Sequence, residues 1–570
     1  MHHDRSLEHK EASPMRRTPA GERPTRSADG LNPLTGLQGK DLLASARALA
    51  AHALCRPLHS ARHAYRLGER IKEVLADTSA LEPARGDRRF TDPTWTQNPL
   101  YRRSLQAYLA WRDELHDWVE HSALPAEDIQ RGHFIIHQLT EALAPTNSPA
   151  NPAALKRLLE TGGQSAVAGL ANLARDWLDN GGMPRQVDPN AFIVGRDVAT
   201  SEGAVVYRND VLELIQYRPL TNHVHERPLL IVPPQINRFY VFDLTPDKSL
   251  VHFSLSIAQQ TFMISWRNPT PDQREWGLST YVEALGDALE AVRAITGSAD
   301  VNVLGACSGG ITCAALAGHY AALGRPALHS LTLLVSVLDA TLDSPLALFT
   351  NDRTLDEARQ RSYQAGVLEG KELARLFAWM RPNDLVWPYW INNYLLGLAP
   401  PPFDILFWNN DTTRLPAAFH GDLIDLYRHN PLTRAHALEV CGTAIDLAQV
   451  RADVYCLGAT TDHITPWQAC YRSARLFGGQ VEFVLSNSGH VQSILNPPGN
   501  PKARFQTGMA GVDDPHAWEG GATHHGGSWW THWQAWLETR SGPLKTAPEQ
   551  LGDRYHVPDA AAPGTYVHDR

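Results

Sequence analysis

The chain has few cysteines for its length, and those it has are scattered. Only six occur in 570 residues, and no two of them have C-x-x-C spacing. We therefore expect neither a disulfide framework nor a cysteine zinc site, no metal ion and no cofactor, and a reducing cytoplasmic setting. The six cysteines are Cys55, Cys307, Cys313, Cys441, Cys456 and Cys470.

Long apolar runs and blocks of positive charge are also missing. No segment approaches the ~18 apolar residues that a transmembrane helix needs, and the N-terminal stretch Met1–Arg5 lacks the apolar core of a signal peptide. The net charge is −9, and no dense cluster of lysine and arginine contradicts it. We therefore expect a soluble cytoplasmic protein with no transmembrane segment and no nucleic-acid partner.

The length and the local composition divide the chain into three parts. At 570 residues it exceeds one typical domain. Residues 1–30 are rich in Pro, Arg, Glu and Ser, which predicts a disordered tail. Residues 31–200 have helical periodicity, as in Leu105–Arg112, and predict an N-terminal helical accessory domain. Residues 201–570 then form the predicted catalytic domain.

The third part begins with a strand pattern. Ala204–Arg208 and Val211–Tyr217 alternate apolar and polar residues around an Asn-Asp turn, which predicts a hairpin. Further short apolar segments follow with helical patterns between them, which is typical of a parallel sheet covered by helices. These segments are Leu229–Val232, Phe262–Ser265, Val301–Leu304 and Leu331–Ser336.

One of these segments leads into a candidate nucleophile. Gly305-Ala-Cys-Ser-Gly309 lies between the strand Val301–Leu304 and the predicted helix Ala314–Tyr320. This is the nucleophile elbow of α/β-hydrolases, G-x-S-x-G, with Cys307 in place of serine. Glycines leave room for the strained turn, and the helix N-terminus favours a thiolate. The alternative is a buried cysteine in a glycine-rich turn.

An acid and a histidine follow in the order that this fold requires. The strand-like Val454–Leu457 leads to Asp462, and the strand-like Val481–Leu485 leads to His490, 490 − 462 = 28 residues later. The predicted triad is therefore Cys307, Asp462 and His490. His463 is a rival base, but a side chain adjacent to the acid would usually point away from it.

The segment between Ser336 and Val454 lacks strand patterns and is rich in aromatic residues. Hydrolase-fold enzymes carry cap insertions at this point, so residues 340–450 are predicted to form a cap. A cap lined with aromatic side chains would exclude water and hold an aliphatic chain; plain core packing is an equal alternative. The residues concerned are Phe377, Trp379, Trp387, Tyr389, Trp390, Tyr394, Phe403, Phe407 and Trp408.

Several long motifs resemble those of the polyhydroxyalkanoate synthases, most closely the class II, medium-chain-length type of pseudomonads. The resemblance runs from Leu31 to Val567. Pro388 departs from it, because the family usually has Asn there, and this puts the local cap geometry in doubt. The motifs are Gly305-Ala-Cys-Ser-Gly-Gly310, Val232-Pro-Pro-Gln-Ile-Asn-Arg-Phe-Tyr-Val-Phe-Asp243, Ser265-Trp-Arg-Asn-Pro269, Asp462-His-Ile-Thr-Pro-Trp467 and Gly489-His-Val-Gln-Ser-Ile-Leu-Asn-Pro-Pro498.

The resemblance implies an α/β-hydrolase fold with a cap and an enzyme that polymerises 3-hydroxyacyl-CoA into a polyester through an acyl-cysteine. It implies that the triad residues act as nucleophile, acid and base. Backbone N–H groups of Ser308 and Ile236 are the candidate oxyanion hole. Gln492 and Ser336 are the candidate pocket residues, and Gln492 favours medium-chain acyl groups.

Partners follow from the same resemblance. We expect 3-hydroxyacyl-CoA and the nascent polyester as ligands, a homodimer, and association with the surface of cytoplasmic polyester granules and their proteins. Arg238 and Arg267 are candidates for contact with CoA phosphates, or else surface residues that pair with local acids.

Two other classes of function stay open: a cysteine hydrolase of esters or polyester, and a granule-surface protein without turnover.

Overall fold

A computed structural model describes residues 30–32, 37–84, 87–341 and 350–570. The predicted disordered tail, residues 1–30, lies outside the described residues except for Gly30. A short hairpin, β1 (Gly30–Asn32) and β2 (Leu37–Gln38), precedes the helices. The helices before the sheet are α1 (Gly39–Cys55), α2 (Pro57–Leu75), α3 (Thr94–Gln97), α4 (Pro99–Glu120), α5 (Ala126–Ala142), α6 (Pro152–Glu160) and α7 (Gln164–Asp179).

The strands that follow are short and mostly buried. Their bounds in chain order are β3 (Gly203–Arg208), β4 (Leu212–Tyr217), β5 (His223–His225), β6 (Leu229–Val232), β7 (Thr261–Trp266), β8 (Val301–Ala306), β9 (Leu328–Leu334), β10 (Val367–Leu368), β11 (Leu415–Pro416), β12 (Leu438–Val440), β13 (Thr443–Ile445), β14 (Asp453–Ala459), β15 (Val481–Ser486), β16 (Arg504–Met509), β17 (Thr523–Gly526), β18 (Leu544–Thr546) and β19 (Ala560–Ala561).

Eleven of these strands form one sheet in the order β17-β16-β15-β14-β9-β8-β6-β7-β4-β3-β19. The six strands β15, β14, β9, β8, β6 and β7 are mutually parallel, and the strands at both edges are antiparallel. The predicted hairpin is present as β3 and β4, with a register shift between Val205 and Tyr207. Because parallel strands end at the same edge of a sheet, the loops after β8, β14 and β15 meet there.

Helices cover both faces of the sheet, as buried parallel strands require. They are α8 (Leu250–Ser256), α9 (Leu278–Thr296), α10 (Ser308–Ala322), α11 (Asp352–Ala365), α12 (Gly370–Met380), α13 (Pro382–Leu385), α14 (Trp387–Trp390), α15 (Asp404–Asn410), α16 (Ala417–His429), α17 (Trp467–Ala474), α18 (His490–Ile494), α19 (Pro515–Gly521) and α20 (Trp529–Glu538). No helix among the described residues is both long and apolar enough to cross a membrane.

Helices α11 to α16 lie between β9 and β14, where the cap is predicted, and they contact both the sheet domain and the N-terminal helices. Trp390 Nε1 donates a 3.0 Å hydrogen bond to the carbonyl of Asn147. The hydroxyl of Tyr394, in a π-helical turn, donates to Asp176 of α7 at 2.8 Å. These two cap aromatics therefore tie the cap to the N-terminal helices.

Pro388 occupies the first turn of α14 rather than the interior of a helix. A proline is compatible with the first turn because the N–H that it lacks has no intrahelical acceptor there. Pro388, which replaces the usual Asn of the family motif, therefore lies at the start of a short helix and does not break one.

Candidate active site

Cys307 lies in the turn between β8 and α10, in a conformation that few side chains adopt. Its backbone has φ +50° and ψ −121°, and its N–H donates to the carbonyl of Leu334 on the neighbouring strand at 2.9 Å. Such a conformation costs about 1–3 kcal/mol and persists only where the surroundings enforce it. The strain turns the Cys307 side chain away from the sheet and into a cavity.

The glycines of the elbow are needed because backbone atoms approach them closely. A Cβ on Gly309 would lie 2.4 Å from the carbonyl oxygen of Pro233, and a Cβ on Gly305 would lie 2.8 Å from the Cα of Gly310. A Cβ on Gly310 would lie 2.0 Å from the hydroxyl oxygen of Ser336. The sequence motif therefore reflects three separate close contacts around one turn.

The other described cysteines are poor candidates for a nucleophile. Burial raises the pKa of the Cys313, Cys456 and Cys470 thiols well above the ordinary value. Burial also raises the pKa of Cys441, to about 11, and the nearby charge of Glu283 adds to this. Since the thiolate is the reactive form, these four are unreactive at neutral pH. Cys55 is exposed on α1 and distant in the fold from the parallel strands.

The acid and the histidine meet at the carboxyl ends of β14 and β15. Oδ2 of Asp462 accepts a 2.7 Å hydrogen bond from Nδ1 of His490. The two loops are also joined through their backbones, since the N–H of Thr461 donates to the carbonyl of Ser488 at 3.2 Å. His490 hydrogen-bonds in turn with Cys307. The structure thus brings together the three residues predicted from strand order.

A fourth residue, Thr465, holds the acid in place. Its hydroxyl donates to Oδ2 of Asp462 at 2.7 Å and lies 3.0 Å from Nδ1 of His490. The N–H groups of Ile464 and Thr465 donate to Oδ1 of the same carboxylate at 2.8 and 2.9 Å. Sequence reasoning missed Thr465, although the spacing Asp-x-x-Thr is that of a side chain capping its own turn.

These contacts decide the charges of the pair. Burial alone would lower the pKa of His490, but the charge of Asp462 and the hydrogen bonds to Asp462 and Cys307 outweigh it and raise the pKa to about 10. Burial alone would raise the pKa of Asp462, but the charge and hydrogen bond of His490 hold it below its ordinary value. At neutral pH the pair is therefore an imidazolium and a carboxylate.

His463, the rival base, lies in a different environment. Neither of its ring nitrogens has a hydrogen-bond partner among the described residues. Burial lowers its pKa to about 4, even though the adjacent Asp462 charge opposes this shift. His463 is therefore neutral at pH 7, and no contact links it to Cys307.

The loop after β6 supplies the second side of the site. The N–H of Gln235 donates to the hydroxyl of Ser308 at 3.2 Å, and the carbonyl of Gln235 accepts from the Thr413 hydroxyl at 2.6 Å. Because the N–H of Gln235 is used, the next backbone N–H is that of Ile236, which lines the cavity with Cys307 and Ser308. The N–H of Ser308 opens α10, where it has no intrahelical acceptor. The candidate oxyanion residues therefore lie on both sides of the sulfur.

The cavity at Cys307 has a volume of about 280 Å³ and is mostly apolar. On one side it reaches Val241, Trp408 and Ile494, which belong to the core beneath one face of the sheet. On the other it runs into the cap, between α11, α12 and α16. Of the predicted cap aromatics, Phe377 and Trp408 line this cavity.

Neither candidate pocket residue lies in the wall of the cavity. In α18, His490, Val491 and Ile494 face it, whereas Gln492 is exposed, because a helix turns about 100° per residue. Ser336 is buried against Gly310, and its hydroxyl donates to the carbonyl of Leu334 at 3.0 Å. Gln492 lies on the histidine loop and Ser336 supports the elbow, so their expected contact with the acyl chain stays a prediction.

The two arginines considered for contact with CoA phosphates lie near acidic residues, as the alternative expected: Arg238 Nε is 3.6 Å from Asp411, and Arg267 Nε is 3.9 Å from Asp569. Arg238 is only 3% exposed, so it is not the surface residue that we expected. Its guanidinium donates to the carbonyls of Tyr566 and Asp569 near the end of the chain. Arg267 stacks over the ring of Tyr566, 5.5 Å from its centroid. Both arginines therefore fasten the C-terminal segment.

Two tryptophans of α20 hydrogen-bond to the helix that begins with His490. Trp529 and Trp530 are almost fully buried, and their Nε1 groups donate to the carbonyls of Ser493 and Ile494 at 2.7 and 3.1 Å. These carbonyls belong to α18, the helix that begins with His490. The cluster is thus part of the core, and it also fixes the helix that begins with His490.

Two family models match the chain. Residues 86–254 match the model described as the poly-beta-hydroxybutyrate polymerase (PhaC) N-terminus, and residues 240–497 match the model of the alpha/beta hydrolase fold. Together with the sheet order, the second match confirms the predicted α/β-hydrolase fold. The first match extends past the helices α1–α7 into the first strands of the sheet.

Three curated proteins are similar over most of the chain. "Poly(3-hydroxyalkanoate) polymerase 1" of Ectopseudomonas oleovorans is 65% identical over 95% of this chain and 97% of its own length. "Poly(3-hydroxyalkanoate) polymerase 2" of the same organism is 52% identical over 98% of this chain and 100% of its own length. "Poly(3-hydroxyalkanoate) polymerase subunit PhaC" of Cupriavidus necator is 38% identical over 88% of each chain.

Proposed function

The chain belongs to the poly(3-hydroxyalkanoate) polymerase family, and we propose that it makes this polyester from medium-chain 3-hydroxyacyl-CoA through an acyl-enzyme on Cys307. Membership of this family makes the protein an acyltransferase and confirms the assignment made from the sequence motifs. The observation that supports the mechanism best is the chain of hydrogen bonds from Asp462 through His490 to Cys307 at the floor of an apolar cavity.

In the first half-reaction, the Cys307 thiol gives its proton to His490, and the resulting thiolate attacks the thioester carbonyl of the substrate. The raised pKa of His490 favours an imidazolium, which hydrogen-bonds to the sulfur and can give its proton to the departing CoA thiolate. The N–H groups of Ser308 and Ile236 stabilise the negative oxygen of the intermediate. One C–S bond replaces another, so the acyl group stays activated; a serine would form the stable oxoester too early.

In the second half-reaction, a 3-hydroxyl group attacks the acyl carbonyl on Cys307. Acylation removes the hydrogen bond between the sulfur and His490, which is one cause of the raised histidine pKa. His490 can then take the proton of the hydroxyl as a base while the C–O bond forms and the C–S bond breaks. Asp462 orients the imidazole through Nδ1. The apolar cavity favours this hydroxyl over water.

The experiment compares wild type with Cys307→Ala on 3-hydroxydecanoyl-CoA, with both CoA and polymer measured. Wild type should release CoA and form polymer, whereas the variant should do neither. Cys441→Ala is the matched control, since this partly buried cysteine has a raised pKa and no contact with the site. CoA release by Cys307→Ala would exclude the acyl-cysteine. Release of free 3-hydroxy acid without polymer would point to a hydrolase.

We also propose that the protein associates with the surface of its polyester product. The solvent side of α7 carries Val167, Leu170, Trp177 and Leu178, which are 67–82% exposed. Its buried side carries Ser165, Gly169 and Asp176, which pack on the cap. This amphipathic helix presents its apolar side outward, as interfacial helices do. Leu170→Glu should weaken sedimentation with polymer particles, while Ala168→Glu, at a half-buried position, serves as the control.

A homodimer and granule-associated partner proteins are expected from the family alone. Size-exclusion chromatography with light scattering measures the first, and the sedimentation assay with added granule proteins measures the second.

A further inference from the structure

The part of the cavity inside the cap is lined by other residues than the part beside Cys307 and His490. Helix α16 turns four residues at positions i, i+3, i+4 and i+7 toward the cavity, which is one face of a helix. They are His420, Leu423, Ile424 and Tyr427. The facing helix α11 contributes Leu355.

Buried residues of both cap helices line this end of the cavity. Leu355 and Ile424 are each 3% exposed and belong to a small apolar cluster of their own, with Ala358, separate from the main cores. His420 is fully buried, and its Nδ1 lies 2.9 Å from the hydroxyl of Ser362 on α11. The two cap helices are therefore joined at the point where the cavity ends.

The wall between Cys307 and this end is apolar throughout. It is formed by Ile311 of the nucleophile helix, by Val337 and Ala340 after β9, and by Phe377 of α12. An apolar pocket that begins at the nucleophile matches the alkyl branch of a 3-hydroxyacyl group, which has no polar atoms. The opposite end carries half-buried amide side chains, Asn237 and Asn409, which suit ester carbonyls better.

On the basis of the proposed function, we infer that α16 and α11 of the cap set the acyl chain length that the enzyme accepts. The alkyl branch extends from Cys307 toward Leu423 and Ile424 and ends at the joined pair His420 and Ser362. Chain length is then a property of pocket depth in the cap, and the exposed Gln492 has no direct part in it. A missing or extra methylene in such a pocket changes discrimination by about 10–200-fold.

Helix α16 offers a matched pair of leucines for the test. Leu423 and Leu426 are both half-buried and both pack against the main core, but of the two only Leu423 lines the cavity. Leu423→Ala deepens the pocket and Leu426→Ala does not, although both remove the same atoms from the same helix. Leu423→Phe fills the pocket and gives an effect of opposite sign.

The measurement is CoA release by the full-length protein from 3-hydroxyoctanoyl-CoA and 3-hydroxydodecanoyl-CoA, expressed as the ratio of the two kcat/KM values. Leu423→Ala should shift this ratio at least about tenfold toward the longer substrate, and Leu423→Phe toward the shorter one. Leu426→Ala should keep the wild-type ratio.

Equal ratios in wild type, Leu423→Ala and Leu423→Phe would overturn the inference, as would an equal shift in Leu423→Ala and Leu426→Ala. If Leu423→Ala does not fold, Leu423→Phe and the conservative Ile424→Val carry the test. A wild-type protein that releases no CoA from either substrate would contradict the proposed function itself, so the two failures are distinguishable.

Discussion

Asp462 and His490 are joined by a 2.7 Å hydrogen bond across 28 residues of sequence, and the same carboxylate oxygen accepts a second hydrogen bond from Thr465. The carboxylate therefore cannot rotate without losing contacts on both of its oxygens, since two backbone N–H groups hold the other one. This arrangement fixes which way the imidazole faces and, through it, the position of the base relative to Cys307.

Thr465→Val should lower kcat for CoA release while leaving KM little changed. Valine keeps the shape of threonine but removes the hydroxyl that donates to Asp462, which costs about 1–3 kcal/mol for a buried acceptor left with fewer partners. Thr465→Ser restores the hydroxyl and should recover most of the activity. An equal loss in both variants would contradict this role of the hydrogen bond, because serine keeps the hydroxyl that valine lacks.

The two histidine candidates, His463 and His490, should differ sharply in function. His490→Gln should lose about 10²–10⁴-fold in turnover, because no other described group can exchange a proton with Cys307. His463→Gln should retain substantial activity, since His463 is neutral and has no hydrogen-bond partner among the described residues. Both purified variants are compared in one CoA-release assay, with circular dichroism as the folding control. Equal losses would contradict the assignment of His490 as the base.

The raised pKa of His490 predicts how the stability of the folded protein depends on pH. Its folded-state pKa of about 10 exceeds the ordinary 6.5, so the stabilisation is fully present below about pH 6.5 and is lost as the pH rises toward 10. Each pKa unit corresponds to about 1.4 kcal/mol. The melting temperature of wild type should exceed that of His490→Gln most at pH 6, and the gap should narrow by pH 10. If the difference in melting temperature between wild type and His490→Gln did not change with pH, packing and not the charge of His490 would account for it.

The contact between Gly310 and Ser336 can be tested by compensation. Gly310→Ala places a Cβ 2.0 Å from the Ser336 hydroxyl and 2.8 Å from its Cβ, so the elbow must shift and activity should fall. The double variant Gly310→Ala/Ser336→Gly removes both obstructing atoms, and the next atom is 3.4 Å away. Activity in the double variant should therefore exceed that of Gly310→Ala. If it does not, the loss has another cause than this contact.

Much of the site could be predicted from the sequence because the fold places constraints on short segments. The elbow needs glycine at positions 305 and 309, because backbone atoms of neighbouring elements approach both positions too closely for a side chain. The order of nucleophile, acid and histidine follows from parallel strands that end at one edge. For these reasons Cys307, Asp462 and His490 could be named from local patterns, and the structure brings them together.

Other features depend on which side of an element faces the site, and no local pattern reveals that. Gln492 is two residues from His490 in sequence but lies on the exposed side of α18. Arg238 carries a charge, which usually places a residue at the surface, yet the C-terminal segment folds over it and buries it. Arg238 is therefore not at the surface, and the expected contact of Gln492 with the acyl chain stays a prediction, because proximity in sequence says little about direction.

The sequence by itself determined the fold class, the candidate nucleophile and the family, because glycine spacing, strand order and long motifs are properties of the chain. Only the tertiary structure decided the charge state of His490, the part played by Thr465 and the end of the cavity inside the cap. These depend on distances between residues far apart in sequence: α11 and α16 meet at Ser362 and His420, 58 residues apart. Electrostatic and packing energies act over a few ångströms, so they are fixed only when the chain has folded.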